Sequence, residues 1–237
     1  MNKVHFGDMK EQDWERSVYG KDAAEEVLDV YPPPKGVMMR TTTFEDASLM
    51  HCVVTGKSLE GVLSFVNQTP VDWHCKLQST VETATFGSEF GVAKSGTDIS
   101  ISLRASLMAM GVPLEKFAWM LGDNQAVITQ STIPSSTLSK RHNALAYHRV
   151  RCAVAAGIIK FVKIDGKENI ADVLTKYLPY CDAMPLIKPV LFWQGDTSNA
   201  IVKSNEKKEV KSGVPEGSDK LANGKVKTTE PESSCGT

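Results

Sequence analysis

A chain of 237 residues is long enough for one well-formed core with flanking segments. With 41% hydrophobic and 23% charged residues, it has the composition of an ordinary globular protein, which sets aside collagen-like and wholly disordered chains. The formal net charge of −1 carries no global signature of a nucleic-acid binder, and no apolar run approaches the roughly 20 residues that span a bilayer, so no membrane partner is expected. Met1-Asn2-Lys3-Val4-His5 has no apolar signal region, so the expected location is cytoplasmic or nuclear, not secreted. The five cysteines are odd in number and contain no Cys-x-x-Cys, which suits reduced thiols. His51-Cys52 and His74-Cys75 are adjacent pairs and lack the intervening residues usual between zinc ligands.

Residues 1–35 are polar and end in Tyr31-Pro32-Pro33-Pro34, which reads as an extended flank or connector. Residues 36–180 carry the fold. Gly36 to Asp46, with Thr41-Thr42-Thr43-Phe44, suits a strand with Asp46 at its end. Leu59 to Val66 and Val71 to Lys76 follow closely, as in an antiparallel meander. Thr80 to Met110 reads as a long helix capped by Ser79 or Thr80 and stopped by Gly111-Val112-Pro113. Phe117 to Leu121 is a short strand, and Asn124 to Ser131 a short helix. Arg141 to Ala156 is a helix stopped by Gly157, and Ile158 to Ile164 a last strand turning at Asp165-Gly166. Asn169 to Leu178 closes the domain as a helix before Pro179. Residues 181–195 form a C-terminal extension. Residues 196–237 have no aromatic residue and balanced charges, so they are expected to be disordered. The order β-β-β-α-β-α-α-β-α implies an α/β fold: a five-stranded mixed sheet flanked by helices.

Four acidic residues fall at element boundaries or on helices: Asp46, Glu89, Asp123 and Asp172. Singly, each has a simpler role, such as a turn, a solvated helix face, a helix cap or a first-turn acid. Brought together at one sheet edge, they would hold divalent cations, and two such ions about 4 Å apart catalyse phosphodiester cleavage. From Ser139 to Lys163 the chain carries Lys140, Arg141, Arg149, Arg151, Lys160 and Lys163 without an acid, and His142 and His148 lie in the same stretch. Such a one-sign stretch suits either a phosphate-facing surface or a solvated helix face. Lys140, Arg141, His142, His148, Arg149 and Arg151 are therefore candidate nucleic-acid contacts. Ser79, Thr80 and Asn124, polar groups at helix starts, are candidates for phosphate contact or for capping. Trp73 and Trp119 read as core residues.

The ordered series of motifs resembles the ribonuclease H domain of copia-type retrotransposon Pol polyproteins. It runs through Asp13-Trp14, Phe44-Glu45-Asp46-Ala47, Thr55-Gly56-Lys57-Ser58, Asn67 to Trp73, and Gln78 to Phe90. It continues with Gly122-Asp123-Asn124, Lys140-Arg141-His142-Asn143, Tyr147-His148-Arg149-Val150-Arg151 and Ala171-Asp172-Val173-Leu174-Thr175-Lys176. The resemblance implies an RNase H-like fold that cleaves the RNA strand of an RNA–DNA hybrid. It implies two Mg²⁺ or Mn²⁺ ions on Asp46, Glu89, Asp123 and Asp172, and a preceding reverse transcriptase domain as partner. The alternative is a catalytically inactive relic acting as a nucleic-acid-binding module; a strand-transfer enzyme would need a different acid spacing. Ser48 stands where the family commonly has a second acid. No histidine lies between Gly157 and Asp172, where related domains carry one before the last acid. No Tyr-x-Asp-Asp of a polymerase occurs in the chain.

Overall fold

The computed structural model describes Trp14, Tyr19, Glu25 and residues 27–138 and 140–191. The segment 196–237, expected to be disordered, lies outside the described residues.

The strands are β1 (Thr41–Ser48), β2 (Leu59–Val66), β3 (Thr69–Leu77), β4 (Ala118–Gly122) and β5 (Ile159–Lys163). They form one sheet in the order β3-β2-β1-β4-β5. β2 runs antiparallel to both β1 and β3, while β4 pairs parallel with β1 and with β5. This is the five-stranded mixed sheet with helices that the element order implied. The β2–β3 turn is tight because Asn67 takes a left-handed conformation at φ 57°, which Asn tolerates, and its side-chain oxygen accepts from the Arg40 amide.

The helices are α1 (Thr85–Ala109), α2 (Gln125–Thr132), α3 (Ala144–Ala155), α4 (Asp172–Thr175) and α5 (Tyr180–Leu191), with 3₁₀ turns at Arg141–Asn143 and Gly166–Glu168. α1 buries Gly87, Ser88, Glu89, Phe90, Val92, Ala93, Gly96, Thr97, Ser100 and Arg104. This face is mostly small or polar, so it lies close to the sheet rather than wedging it apart. Thr43 Oγ1, on β1, meets Ser100 Oγ at 2.8 Å and Ser64 Oγ at 3.2 Å, which satisfies hydroxyls buried under the helix. The main core is assembled from Phe90, Met120, Val127, Tyr147, Val150, Ile159 and Phe161.

Several sequence expectations are corrected. α1 begins at Thr85, five residues after the expected cap, with Ala84 as N-cap and no side-chain cap. β1 continues past Asp46 to Ser48. The closing helix expected over Asn169–Leu178 is reduced to the four-residue α4, with the 3₁₀ turn Gly166–Glu168 ahead of it. Trp73 is no core residue: it is 70% exposed on the edge strand β3. Trp119 is half-buried between Phe117, Arg40 and Lys160.

Two residues of the segment read as a flank, Trp14 and Tyr19, are buried in the main core. They pack around Arg151 on α3, whose guanidinium carbon lies 4.7 Å from the Trp14 ring centre, 4.8 Å from Tyr19 and 4.9 Å from Tyr147. Arg151 donates to the carbonyls of Gln130, Ile133 and Pro134, to Ser136 Oγ and to Tyr19 Oη, at 2.6–2.9 Å. It is 1% exposed. The assignment of Arg151 to nucleic acid is therefore wrong, because the helical period turns it inward and its donors are spent on the loop after α2. Removing it would take the side-chain donor from the Pro134 carbonyl and leave the Gln130 and Ile133 carbonyls with only the Ser136 hydroxyl and amide. We predict that Arg151→Met costs about 3 kcal/mol, or roughly 6–12 °C in Tm. Lysine should rescue poorly, since it cannot fork across the same acceptors. A thermal melt of Arg151→Met matching the parent would show that the loop does not depend on this side chain.

Candidate active site

β1 is the central strand, and it delivers Asp46 into the structure at 1% exposure. β4 ends beside it at Gly122, which places Asp123 next in the chain. α1 crosses the sheet and brings Glu89 from its second turn. One oxygen from each of Asp46, Glu89 and Asp123 lies within 4.8 Å of the others. Three elements far apart in sequence thus converge as expected.

Asp172 arrives by a different route. It is the first residue of α4, which packs on β2 at Gly61, the residue paired with Asp46 across the β1–β2 ladder. A Cβ on Gly61 would meet Thr175 Cγ2 at 2.7 Å and Leu174 Cβ at 2.9 Å, so this close approach requires glycine. From there Thr175 Oγ1 donates to Asp46 Oδ2. Lys176 Nζ donates to Asp46 Oδ1 at 3.1 Å and to Asp172 Oδ1 at 2.9 Å. Asp172 therefore joins the site through an ammonium group and lies outside the close trio. The loop before α4 is anchored by Asn169, whose amide donates to the Glu45 carbonyl at 2.9 Å.

Crowding of like charge sets the electrostatics. Burial pushes the Glu89 carboxyl up to about 9, and Asp46 and Asp123 beside it add to the shift. Burial also raises Asp123, with Asp46 as the next cause. Asp172 is pushed up to about 6, chiefly by burial, although its bond from Lys176 opposes the rise. Burial works against the charge on Lys176, yet Asp172 and Asp46 hold its pKa above the ordinary lysine value.

Glu45, Thr175 and Lys176 are parts of the site to which the sequence reading gave no role. Glu45 lies 2% exposed beneath α1, and Oε2 has no hydrogen-bond partner among the described residues. Burial first, then Glu89, Asp46 and Asp123, raise its pKa well above the usual carboxylate range. Its one visible signal was position: a carboxylate inside a strand next to another carboxylate. Thr175 and Lys176 stood in the Asp172-to-Lys176 motif, where the spacing of four from Asp172 puts Lys176 one helical turn away.

The proposed nucleic-acid contacts separate into groups. Arg141, His142, His148 and Arg149 are exposed around the start and outer face of α3, and Lys140 is half-buried. Two of them already have acidic partners: His142 Nε2 lies 3.1 Å from Glu82, and Arg149 Nε donates to Asp98 at 2.7 Å. His148 Nδ1 contacts Tyr19 Oη at 2.9 Å. Asn124 is the N-cap of α2, its oxygen accepting from the amides of Ala126 and Val127. Ser79 and Thr80 are exposed in the loop before α1, and Thr80 Oγ1 donates to Glu82.

No protein-family model matches the chain. Curated relatives at the sequence level are retrovirus-related Pol polyproteins. That of transposon TNT 1-94 from Nicotiana tabacum is 28% identical over 136 residues, 57% of this chain and 10% of the polyprotein. That of transposon RE2 from Arabidopsis thaliana is 24% identical over 145 residues, 61% of this chain and 10% of the polyprotein. The chain thus spans about a tenth of the length of these relatives. Among solved structures, an N-terminal RNase H domain from Mycobacterium tuberculosis gives a TM-score of 0.45 at 14% identity, covering 62% of this chain and 94% of that one. RNase H1 from Halobacterium salinarum gives 0.43 at 14% identity, covering 62% and 98%. The chain is similar to retrotransposon Pol polyproteins. No helix among the described residues is long and apolar enough to cross a membrane.

The raised carboxyls make a pH prediction. Glu89 and Asp172 hold protons in the folded state that they release on unfolding, where their values return to the ordinary 4.5 and 3.8. Stability is therefore lost as pH rises from the unfolded values through about 6 and on toward about 9. In EDTA, Tm should fall between pH 5.5 and 8.5, and Glu89→Gln should flatten the decline. A parental Tm that rises over this range would contradict the crowding.

Proposed function

We propose that the chain is an RNase H-type endonuclease domain, residues 36–180 with Trp14 and Tyr19 completing its core, of a copia-type retrotransposon Pol polyprotein, and that it cleaves the RNA strand of RNA–DNA hybrids. The observation that carries this reading is the convergence of Asp46, Glu89 and Asp123, with Asp172 held to Asp46 through Lys176. The donor set is all carboxylate oxygen, which fits hard cations such as Mg²⁺ or Mn²⁺. Asp46, Glu89, Asp123 and Asp172 would hold two of them. Bound there, such ions supply an activated water and neutralise charge on the leaving oxygen.

The remaining work falls to the chain. Asp46, fixed by Thr175 and by the central strand, is the acid common to both parts of the site. Arg141, His142, His148 and Arg149, with the half-buried Lys140, form the basic surface suited to backbone phosphates. Choice of RNA over DNA would rest on 2′-hydroxyl contacts. The reverse transcriptase domain of the same polyprotein is the proposed partner in presenting the hybrid.

Asp123→Asn changes charge with almost no change in volume. It should lower cleavage of a labelled RNA–DNA hybrid in Mn²⁺ by about a hundredfold or more while the fold persists. It should also shrink the rise in Tm that Mn²⁺ gives the parent. Cleavage by the mutant at the parental rate would remove the nuclease assignment, and a parent that binds hybrid without cutting it would favour the binding-module alternative. Separately, replacing Lys140, Arg141 and Arg149 with Gln should flatten the dependence of log K on log salt by about 0.9 for each phosphate no longer neutralised. Equal salt slopes would place the hybrid elsewhere.

A further inference from the structure

We infer that Lys176 is a built-in cation that occupies the Asp46–Asp172 position of the metal site and must leave before a divalent ion can be shared by those two carboxylates, so that the site loads in two unequal steps. The inference rests on the metal-site reading above and adds an order to it.

The two halves of the site differ. Asp46, Glu89 and Asp123 present oxygens within 4.8 Å of one another. On the other side of Asp46, the ammonium of Lys176 lies 3.1 Å from Asp46 Oδ1 and 2.9 Å from Asp172 Oδ1. An ammonium held between two carboxylates occupies the place of a cation bridging them. Asp46 is 1% exposed, so its contact with Lys176 is sheltered and survives salt better than a surface pair. The Lys176 side chain itself is 37% exposed, so a path outward exists without unfolding.

The backbone is built for this placement. The Lys176 amide donates to the Asp172 carbonyl at 2.9 Å, ending α4, and Lys176 itself is extended. Lysine suits the task because its charge sits on a flexible stem with three rotatable donors, whereas the arginine fork holds two carboxylates in fixed geometry. With Lys176 in place, the excess negative charge of the empty site is partly neutralised, so the fold tolerates the absence of metal. With Lys176 displaced into solvent, Asp46 and Asp172 are freed together. The first cation therefore meets a trio in which the ammonium is bonded to Asp46 alone, and the second competes with an ammonium bonded to both of its ligands.

The test uses the full chain, its Lys176→Met and Lys176→Gln variants, and Lys176→Arg as the charge-keeping control. Titration calorimetry with Mn²⁺, without nucleic acid, reads affinity and stoichiometry; thermal unfolding in EDTA reads the empty site. The parent should bind in one tighter and one weaker step. Lys176→Met and Lys176→Gln should tighten the weaker step by about tenfold, the scale of a charge-assisted bond no longer given up, and should lower Tm in EDTA. Lys176→Arg should keep the parental Tm in EDTA and leave the second step as weak or weaker. Unchanged second-step affinity in both neutral variants would overturn the inference while leaving the metal site standing. Absence of Mn²⁺ binding in the parent would overturn both, and Asp123→Asn, which alters the first step, tells these failures apart. A neutral variant that misfolds is replaced in the comparison by the other.

Discussion

Several carboxylates share one poorly solvated place, and the rest of the site answers to that repulsion. At separations near 5 Å, unscreened like charges repel by several kcal/mol at the effective dielectric of a partly buried site. The protein answers in three ways. It holds protons on Glu89 and Glu45, whose values rise with burial and with their neighbours. It brings an ammonium, Lys176, against Asp46 and Asp172. It donates a hydroxyl, Thr175, to the remaining Asp46 oxygen. The last two answers require α4 to lie close over β1 and β2, so the shortest helix of the domain carries much of the electrostatic organisation.

The basic residues show the same economy of placement. In sequence, Lys140 to Arg151 is one run of positive charge. In the structure, α3 divides it by helical period. Tyr147, Val150, Arg151 and Val154 face inward, while His148 and Arg149 face out. Arg151 is enclosed by three aromatic rings and three carbonyls, a setting in which a guanidinium is held by cation–π and hydrogen-bond geometry without a carboxylate. Arg149 is tied to Asp98 on α1 and so also braces the α1–α3 contact. A count of basic residues along the chain therefore overstates the charge available to a phosphate backbone.

The order of strands was legible because each apolar run was bounded by glycine, proline or a turn, and all five were found within a few residues. The acids of the trio were legible through the motif series and not through periodicity. Less visible was the start of α1, whose inward face of Gly87, Ser88, Ala93, Gly96 and Ser100 gives almost no amphipathic signal. Asn169 to Leu178 read as one helix, but the Asn169 side chain is spent on the Glu45 carbonyl and on the Ala171 amide, which turns the chain before α4 begins. Trp73 read as core because tryptophan usually is, yet β3 is an edge strand with most of its residues exposed. Trp14 and Tyr19 were hidden by polar neighbours, and only the tertiary position of Arg151 explains their burial.

Glycines at particular points make room for the acids. Gly61 lets α4 approach the strand residue opposite Asp46. A Cβ on Gly122 would collide with the Glu45 carboxyl, so β4 leaves space for that acid just before Asp123. A Cβ on Gly87 would collide with the carboxylate of Glu82, which instead turns toward His142 and Thr80. In each case a missing side chain on one element makes room for the site's polar groups or their supports on another. Close packing normally excludes uncompensated charge, because interiors offer neither space nor dielectric for it. Here, the space is provided by backbone alone, and the compensation by Thr175, Lys176 and bound protons. The acids are thereby kept near one another without a cation, in a geometry that a cation would reinforce rather than create.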